Sequence, residues 1–162
     1  MPGSRKWEVA HRKAQALVAR MTLDERANIT VGYSSNTGCA GVTGSVPRLG
    51  WNGLCLADAG QGLRAADFVN AYPAGMHAGA SWNRELTYDR ATHMGREYKR
   101  KGVHVLLGPV LGGMGRVARG GRNWEAFSND PYLCGKLGYD TIAGIQDAGV
   151  TASVKRKCAP CF

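Results

Sequence analysis

Between residues 54 and 154 the chain repeats one pattern: a short apolar run, a turn, a longer amphipathic stretch and a closing glycine. Leu54-Cys55-Leu56-Ala57 reads as a strand ending at Asp58, and residues 74–80 read as a second buried strand. Asn83 can cap a helix over 84–100 that carries Thr87, Ala91, Met94 and Tyr98 on one side, with Gly102 as its stop. Val103-His104-Val105-Leu106-Leu107-Gly108 reads as a third strand, followed by a long loop over 108–129. Asp130 and Pro131 are N-cap and first-turn residues for a helix to about Asp147, bearing Leu133, Leu137, Ile142 and Ile145. Gly149 ends it, and Val150-Thr151-Ala152-Ser153-Val154 gives a fourth strand. Apolar strands separated by helices predict an α/β chain with a parallel sheet covered by helices. Its polar residues cluster just past the C-terminal ends of strands, where such folds build their sites.

The N-terminal third is less regular. Residues 7–21 predict a helix with Ala10, Ala14, Leu17, Val18 and Met21 on one stripe. Thr22 and Glu25 have capping-box spacing for a second short helix, with Gly32 as its stop, and residues 34–52 are glycine-rich and irregular. Four strands do not close a barrel of eight, and residues 157–162 carry no helical period or closing element. The pattern therefore predicts the first half of something larger.

A chain of 162 residues, 44% apolar and 20% charged, can bury a real core and is not of disordered composition. Its net charge of +9 would draw it toward anionic surfaces or nucleic acid. Much of the excess, however, sits in Arg5-Lys6, Arg12-Lys13, Lys99-Arg100-Lys101 and Lys155-Arg156-Lys157, mostly at helix ends or chain termini. Lysine and arginine have a local electrostatic reason to be in a last helical turn. No apolar stretch approaches the ~18 residues of a membrane-spanning helix, so no membrane partner is expected. The first residues, Met1-Pro2-Gly3-Ser4-Arg5-Lys6-Trp7-Glu8, lack the apolar core of a secretion signal. Five cysteines, at 39, 55, 134, 158 and 161, fit either reduced thiols or one or two disulfides with a remainder.

Two places carry candidate chemistry. Gly120-Gly121-Arg122-Asn123-Trp124-Glu125-Ala126-Phe127 sets a guanidinium, an amide, an indole and a carboxylate side by side. Sugar hydroxyls need that mixture of hydrogen bonds and apolar surface; the plainer reading is a structural loop whose Arg122 and Glu125 pair with neighbours. Asp58 precedes Gly60-Gln61-Gly62-Leu63-Arg64, so Asp58 and Arg64 can face one cavity across a glycine-rich turn, or form a buried structural ion pair. Lys155, at the end of the fourth strand, can point at the same face or at solvent. Cys158-Ala159-Pro160-Cys161 would need two further ligands for zinc, and His11, His77, His93 and His104 have no ligand spacing. Gly112-Gly113-Met114-Gly115 continues into neither a Walker lysine nor a dinucleotide-binding helix. Neither metal nor cofactor is expected.

Several motifs in order point to one family: Met21-Thr22-Leu23-Asp24-Glu25-Arg26, Thr43-Gly44-Ser45-Val46-Pro47-Arg48-Leu49-Gly50, Leu54-Cys55-Leu56-Ala57-Asp58, Tyr72-Pro73-Ala74-Gly75, Leu107-Gly108-Pro109-Val110, the Gly120–Phe127 run and Gly144-Ile145-Gln146-Asp147-Ala148-Gly149-Val150. Together they resemble the start of the catalytic barrel of β-glucosidases of glycoside hydrolase family 3, in particular the fungal secreted type. The resemblance implies the N-terminal half of a (β/α)8 TIM-like barrel, ending after about four strands. Residues 1–52 would be a lead-in, 53–155 the β/α units and 156–162 a dissimilar tail.

It further implies that Asp58, Arg64, Arg122 and Lys155 hold a glucosyl unit through its hydroxyls, and that Cys39 and Cys55 form a disulfide. The family follows its lysine with a sugar-binding histidine; here position 156 is Arg, and beyond it the similarity ends. That departure predicts a truncated, mis-spliced or frame-shifted gene product. The implied activity is retaining hydrolysis of terminal non-reducing β-D-glucosyl residues from cellobiose and short β-glucans, which needs two carboxyl groups about 5–5.5 Å apart. The family's nucleophilic aspartate and acid/base glutamate match positions beyond 162, so none of Asp58, Glu125 or Asp130 is a catalytic carboxylate and the chain alone is expected to be inactive. The implied partner is a small β-glucoside or oligosaccharide, and no nucleic acid; self-association through open strand edges and an extracellular location complete the expectation. The competing readings are a small basic nucleic-acid-binding or interaction module and a product without function.

Overall fold

The computed structural model describes residues 5–58, 60–112, 119 and 121–156. It forms two compact units, Met1–Ser34 with Gly41–Leu54, and Ser35–Ala40 with Cys55–Phe162.

The first unit holds helices α1 (Arg5–Ala19) and α2 (Leu23–Asn28), an antiparallel pair of strands β1 (Gly32–Tyr33) and β2 (Gly41–Thr43), and a 3-10 turn at Pro47–Leu49. The capping box forms as the spacing requires: Thr22 Oγ1 accepts from the Glu25 amide at 3.2 Å, and Glu25 Oε2 accepts from the Thr22 amide at 2.9 Å. Glu25 also pairs with Arg48 at 2.6 Å, and Asn28 Nδ2 donates to the Ser45 carbonyl at 2.9 Å. Gly32 opens a strand rather than ending α2, which stops at Asn28. The periodicity of α1 is real, yet only Met21 of its stripe is buried; Leu17 is half-buried and Ala10, Ala14 and Val18 are exposed.

The second unit contains β3 (Cys55–Asp58), α3 (Gly75–Ser81), α4 (Arg84–Arg100), β4 (Val105–Leu107), β5 (Val110–Leu111), α5 (Pro131–Asp147), β6 (Thr151–Ala152) and β7 (Lys155–Arg156). The two long helices begin where the caps place them: Asn83 Oδ1 accepts from the Leu86 amide at 3.0 Å, and Asp130 Oδ2 from the Leu133 amide at 2.8 Å. β3, β4 and β6 form a parallel sheet in that order, with Asp58 opposite Leu107 and Val105 opposite Thr151. β5 and β7 form a separate parallel pair with Val110 opposite Lys155. On the side away from β4, the Leu56 carbonyl of β3 accepts from the Ala40 amide at 2.8 Å.

The predicted strand over 74–80 is instead helix α3, so three of the four predicted parallel strands form, as β3, β4 and β6. The segment has no β-branched residue to favour a pleat. Its buried positions are Gly75, Ala78 and Gly79, at helical spacing. Small size there is a packing requirement: a Cβ on Gly75 would lie 2.1 Å from the Glu125 carbonyl oxygen, and one on Gly79 1.7 Å from that of Phe127.

The main core joins Ala57, Ala91, Met94, Tyr98, Val103, Leu106, Ile145 and Val150, uniting the sheet with α4 and α5. The helices approach closely at Gly144, where a Cβ would stand 2.6 Å from the Tyr88 carbonyl oxygen. Each fully buried side chain of this kind contributes roughly 1.5–3 kcal/mol. Strands lying side by side in sequence order are a barrel wall, unlike a doubly wound sheet, whose order reverses. The architecture is therefore α/β with an open sheet, the N-terminal part of a TIM-like barrel.

Candidate functional site

β3 delivers Asp58 to the C-terminal end of the sheet, pairing it in register with Leu107 at the end of β4. Its backbone carbonyl accepts from the Tyr98 hydroxyl at 3.0 Å. Tyr98 is fully buried; burial first, then the nearby Asp58 and Glu97 charges, push its pKa well above the ordinary tyrosine value. The phenol thus stays a protonated donor and fixes the end of β3.

The Asp58 carboxylate faces Lys155. Oδ1 accepts from Nζ at 2.6 Å, across 97 residues of sequence. Lys155 is held by β7, whose amide donates to the Pro109 carbonyl at 2.9 Å. The pair is half-exposed, with side-chain exposures of 30% for Lys155 and 41% for Asp58. An ion pair this open to water adds about 0–1 kcal/mol to stability. It is therefore not a buried staple, and both groups can meet a ligand from solvent. Oδ2 accepts no hydrogen bond among the described residues.

Arg122 stands before a single 3-10 turn, Asn123–Glu125. Its guanidinium grips Glu125 through two contacts, Nε to Oε1 and Nη2 to Oε2 at 2.9 Å. The Glu125 hydrogen bond and charge raise the Arg122 pKa, and Asp58 adds to this, so Arg122 lies in the field of the Asp58–Lys155 pair. The same loop buries Ala126 and Phe127 while Trp124 remains 47% exposed, leaving indole surface beside the arginine. Arg122 thus pairs with its neighbour Glu125, as the plainer sequence reading expects, while also feeling the Asp58 charge.

Arg64 is exposed on the turn after buried Gly62 and Leu63 and makes no hydrogen bond or ion pair among the described residues. The structure thus joins Asp58 to Lys155 directly, sets Arg122 within electrostatic reach and leaves Arg64 free of both. Position 156 continues β7, but the remaining tail, with Cys158 and Cys161, lies outside the described residues, as do Gly113 to Gly115 and Gly120. Cys39 and Cys55 are joined as a disulfide with Cα atoms 5.6 Å apart, and Cys134 is a buried free thiol. Among the described residues no group of three or more His, Cys, Asp or Glu side chains could hold a metal ion, and no helix is long and apolar enough to cross a membrane. Sequence reasoning missed Tyr98 as a contact to Asp58; its aromatic ring fitted the apolar stripe of α4, and nothing local marked the hydroxyl.

Parallel strands in sequence order, with polar groups gathered at their C-terminal ends, define a β/α-barrel protein. Residues 49–157 match the glycosyl hydrolase family 3 N terminal domain, and the chain belongs to that family. It is 56% identical over 153 residues to "Probable beta-glucosidase M" of Aspergillus niger, covering 94% of this chain and 20% of that protein. A family 3 β-glucosidase from Neurospora crassa superposes with a TM-score of 0.85 at 46% identity, covering 94% of this chain and 18% of the other. β-Glucosidase 3B from Thermotoga neapolitana, solved in complex with glucose, gives a TM-score of 0.78 at 31% identity, over 88% of this chain and 22% of its own. The chain spans about a fifth of the length of the curated relatives it matches.

Proposed function

We propose that these residues form part of the glucose site of a β-glucosidase that releases terminal non-reducing β-D-glucosyl residues from cellobiose and short β-glucans with retention. The observation that carries this is the half-exposed Asp58–Lys155 pair at 2.6 Å, at a strand end and in the field of Arg122. A carboxylate accepts from sugar hydroxyls, while lysine and arginine donate to their oxygens, so one cluster can satisfy neighbouring hydroxyls of opposite need. Trp124 offers apolar surface for the ring, and Arg64 joins from its turn when a sugar is present. A relative solved with glucose supports the ligand class.

The family resemblance puts the nucleophile and acid/base carboxylates at no position of these 162 residues, and on this reading the chain alone binds sugar without turning it over. Oxidative pairing of Cys39 with Cys55 and the fungal relatives support an extracellular setting. The partner is a small sugar rather than nucleic acid, since much of the basic excess lies at helix ends or chain termini, where lysine and arginine have a local electrostatic reason to be. The outer edge of β6, at the end of its sheet, and exposed side chains such as Trp7 and Trp82 favour self-association.

Titration of the 15N-labelled chain with glucose tests the reading. Saturable shifts at Asp58, Arg122 and Lys155 are expected with Kd in the millimolar range or weaker, about 4 kcal/mol or less. Aryl β-glucoside hydrolysis should stay at background. Insensitivity to glucose, with DNA binding that falls steeply as salt rises, would replace the sugar site by a basic module.

A further inference from the structure

The segment between β3 and α3 is tied to one helix. Its two ends meet where the Tyr72 amide donates to the Gln61 carbonyl at 2.7 Å, closing residues 61–72 into an Ω-like loop. Leu63 is buried in the main core, with Ala66, Val69 and Tyr72 packed against it, so the loop has an apolar floor. Gly62 has φ 123°, and a Cβ there would lie 2.4 Å from the Asn70 carbonyl oxygen, so the loop folds tightly on itself. Arg64 is exposed on this loop, and Asp58 lies at the end of β3 that leads into it.

Three charged residues of α4 reach the loop. Arg90 donates through Nε to the Pro73 carbonyl at 2.9 Å and through Nη2 to the Gly60 carbonyl at 2.5 Å, spanning both ends. Glu97, only 5% exposed, accepts from the Asn70 amide at 3.1 Å and from Asn70 Nδ2 at 2.6 Å. Lys101, the cap residue of α4, donates from Nζ to the Asp67 carbonyl at 2.7 Å. At ~100° per residue these three positions fall within about 40° of one another around the helix axis. Tyr98, one residue beyond Glu97, holds the Asp58 carbonyl. Nearly every contact ends on loop backbone, so the clamp fixes the path of the chain whatever its side chains.

We propose that Arg90, Glu97, Tyr98 and Lys101 are positioning residues: α4 acts as a clamp that sets the Asp58 strand end and the Arg64 loop in the geometry that receives the sugar. This rests on the glucose-site reading above. A buried charge such as Glu97 is costly unless its hydrogen bonds are satisfied, and helix-borne groups place a loop more sharply than the loop can place itself.

The experiment combines amide exchange with glucose titration on the whole chain, for Glu97→Ala, Glu97→Gln and Lys101→Met. Exchange at Asn70 should accelerate about tenfold or more in Glu97→Ala, in line with loss of hydrogen bonds to a charged group, while core amides of α5 keep their protection. Glucose binding should weaken by several-fold in the same variant, and Glu97→Gln, which retains an acceptor, should recover part of both effects. Lys101→Met keeps its aliphatic stem at an exposed site, so it tests the clamp even if Glu97→Ala fails to fold; exchange around Asp67 should rise locally. Unchanged loop exchange in both Glu97→Ala and Lys101→Met would overturn the clamp, as would a uniform loss of protection across the unit, which would make Glu97 a stability residue only. Absence of any glucose response in the unmodified chain would overturn the glucose-site reading, and with it the positioning role, whatever the exchange reports about loop order.

Discussion

In residues 55–156, Ala91, Tyr98, Leu106, Leu137 and Ile145 are fully buried, and the sheet, α4 and α5 share one apolar cluster. In residues 5–34 and 41–54 the buried apolar side chains are Met21 and Val46, and what is visible instead is polar: a capping box, the Arg48–Glu25 pair and Asn28 bonded to Ser45. α1 and α4 differ by only two residues in length, 15 against 17, and both carry an apolar stripe, yet one stripe is covered and the other is largely exposed. Periodicity decides that a helix forms; the partner surface decides what it is worth. Each region should therefore fail in its own way.

The largest contrast is expected from core truncation. Tyr98→Ala should destabilise by about 3–5 kcal/mol, whereas Val18→Ala on exposed α1 should stay within about 0.5 kcal/mol. Chemical denaturation of the two variants checks this, and equal losses would break the comparison. Next comes the bridge between Cys39 and Cys55, two residues of the second unit with a sequence separation of 16. Reduction should cost about 3 kcal/mol in the chain-entropy account. Alkylation of both thiols without a change in the unfolding midpoint would count against it.

The smallest effect belongs to the polar region. The Arg48 hydrogen bond, then that of Thr22, hold the Glu25 carboxyl below its ordinary pKa. A depressed carboxyl stabilises the fold above its unfolded pKa, and the contribution is lost as pH falls through the lowered folded value. Arg48→Gln should raise the Glu25 pKa toward the ordinary value and flatten this acid dependence. NMR titration of Glu25 reads the shift, and an unchanged titration would show that the pair is not what lowers it.

Legibility followed the same division. α4 and α5 were readable because side-chain caps at Asn83 and Asp130 and glycines at 102 and 149 mark their ends locally. α3 was misread because alanine and glycine over seven residues leave no apolar contrast; the spacing of Gly75, Ala78 and Gly79 was the available clue, and its meaning lies in the backbone of residues 125–127. β5 and β7 are two residues each and form by pairing across distant sequence, so no local pattern could show them. Of the site, Asp58 and Lys155 were visible as strand-end polar residues and through family motifs, but their contact is a product of the sheet. Tyr98 was read only as part of an apolar helix face, and Glu97 beside it went unnoticed although it is a buried carboxylate.

Whether the strand-end cluster is a ligand site or a structural ion pair is decided by separating binding from stability at Asp58 and Lys155. Asp58→Ala, Lys155→Ala and the double variant should each abolish the glucose-dependent shifts, while unfolding free energies change by no more than about 1 kcal/mol, as for a pair open to solvent. Glucose binding that survives in all three, or a loss of several kcal/mol of stability in either single variant, would contradict the account: the pair would then hold the barrel wall together and not a sugar.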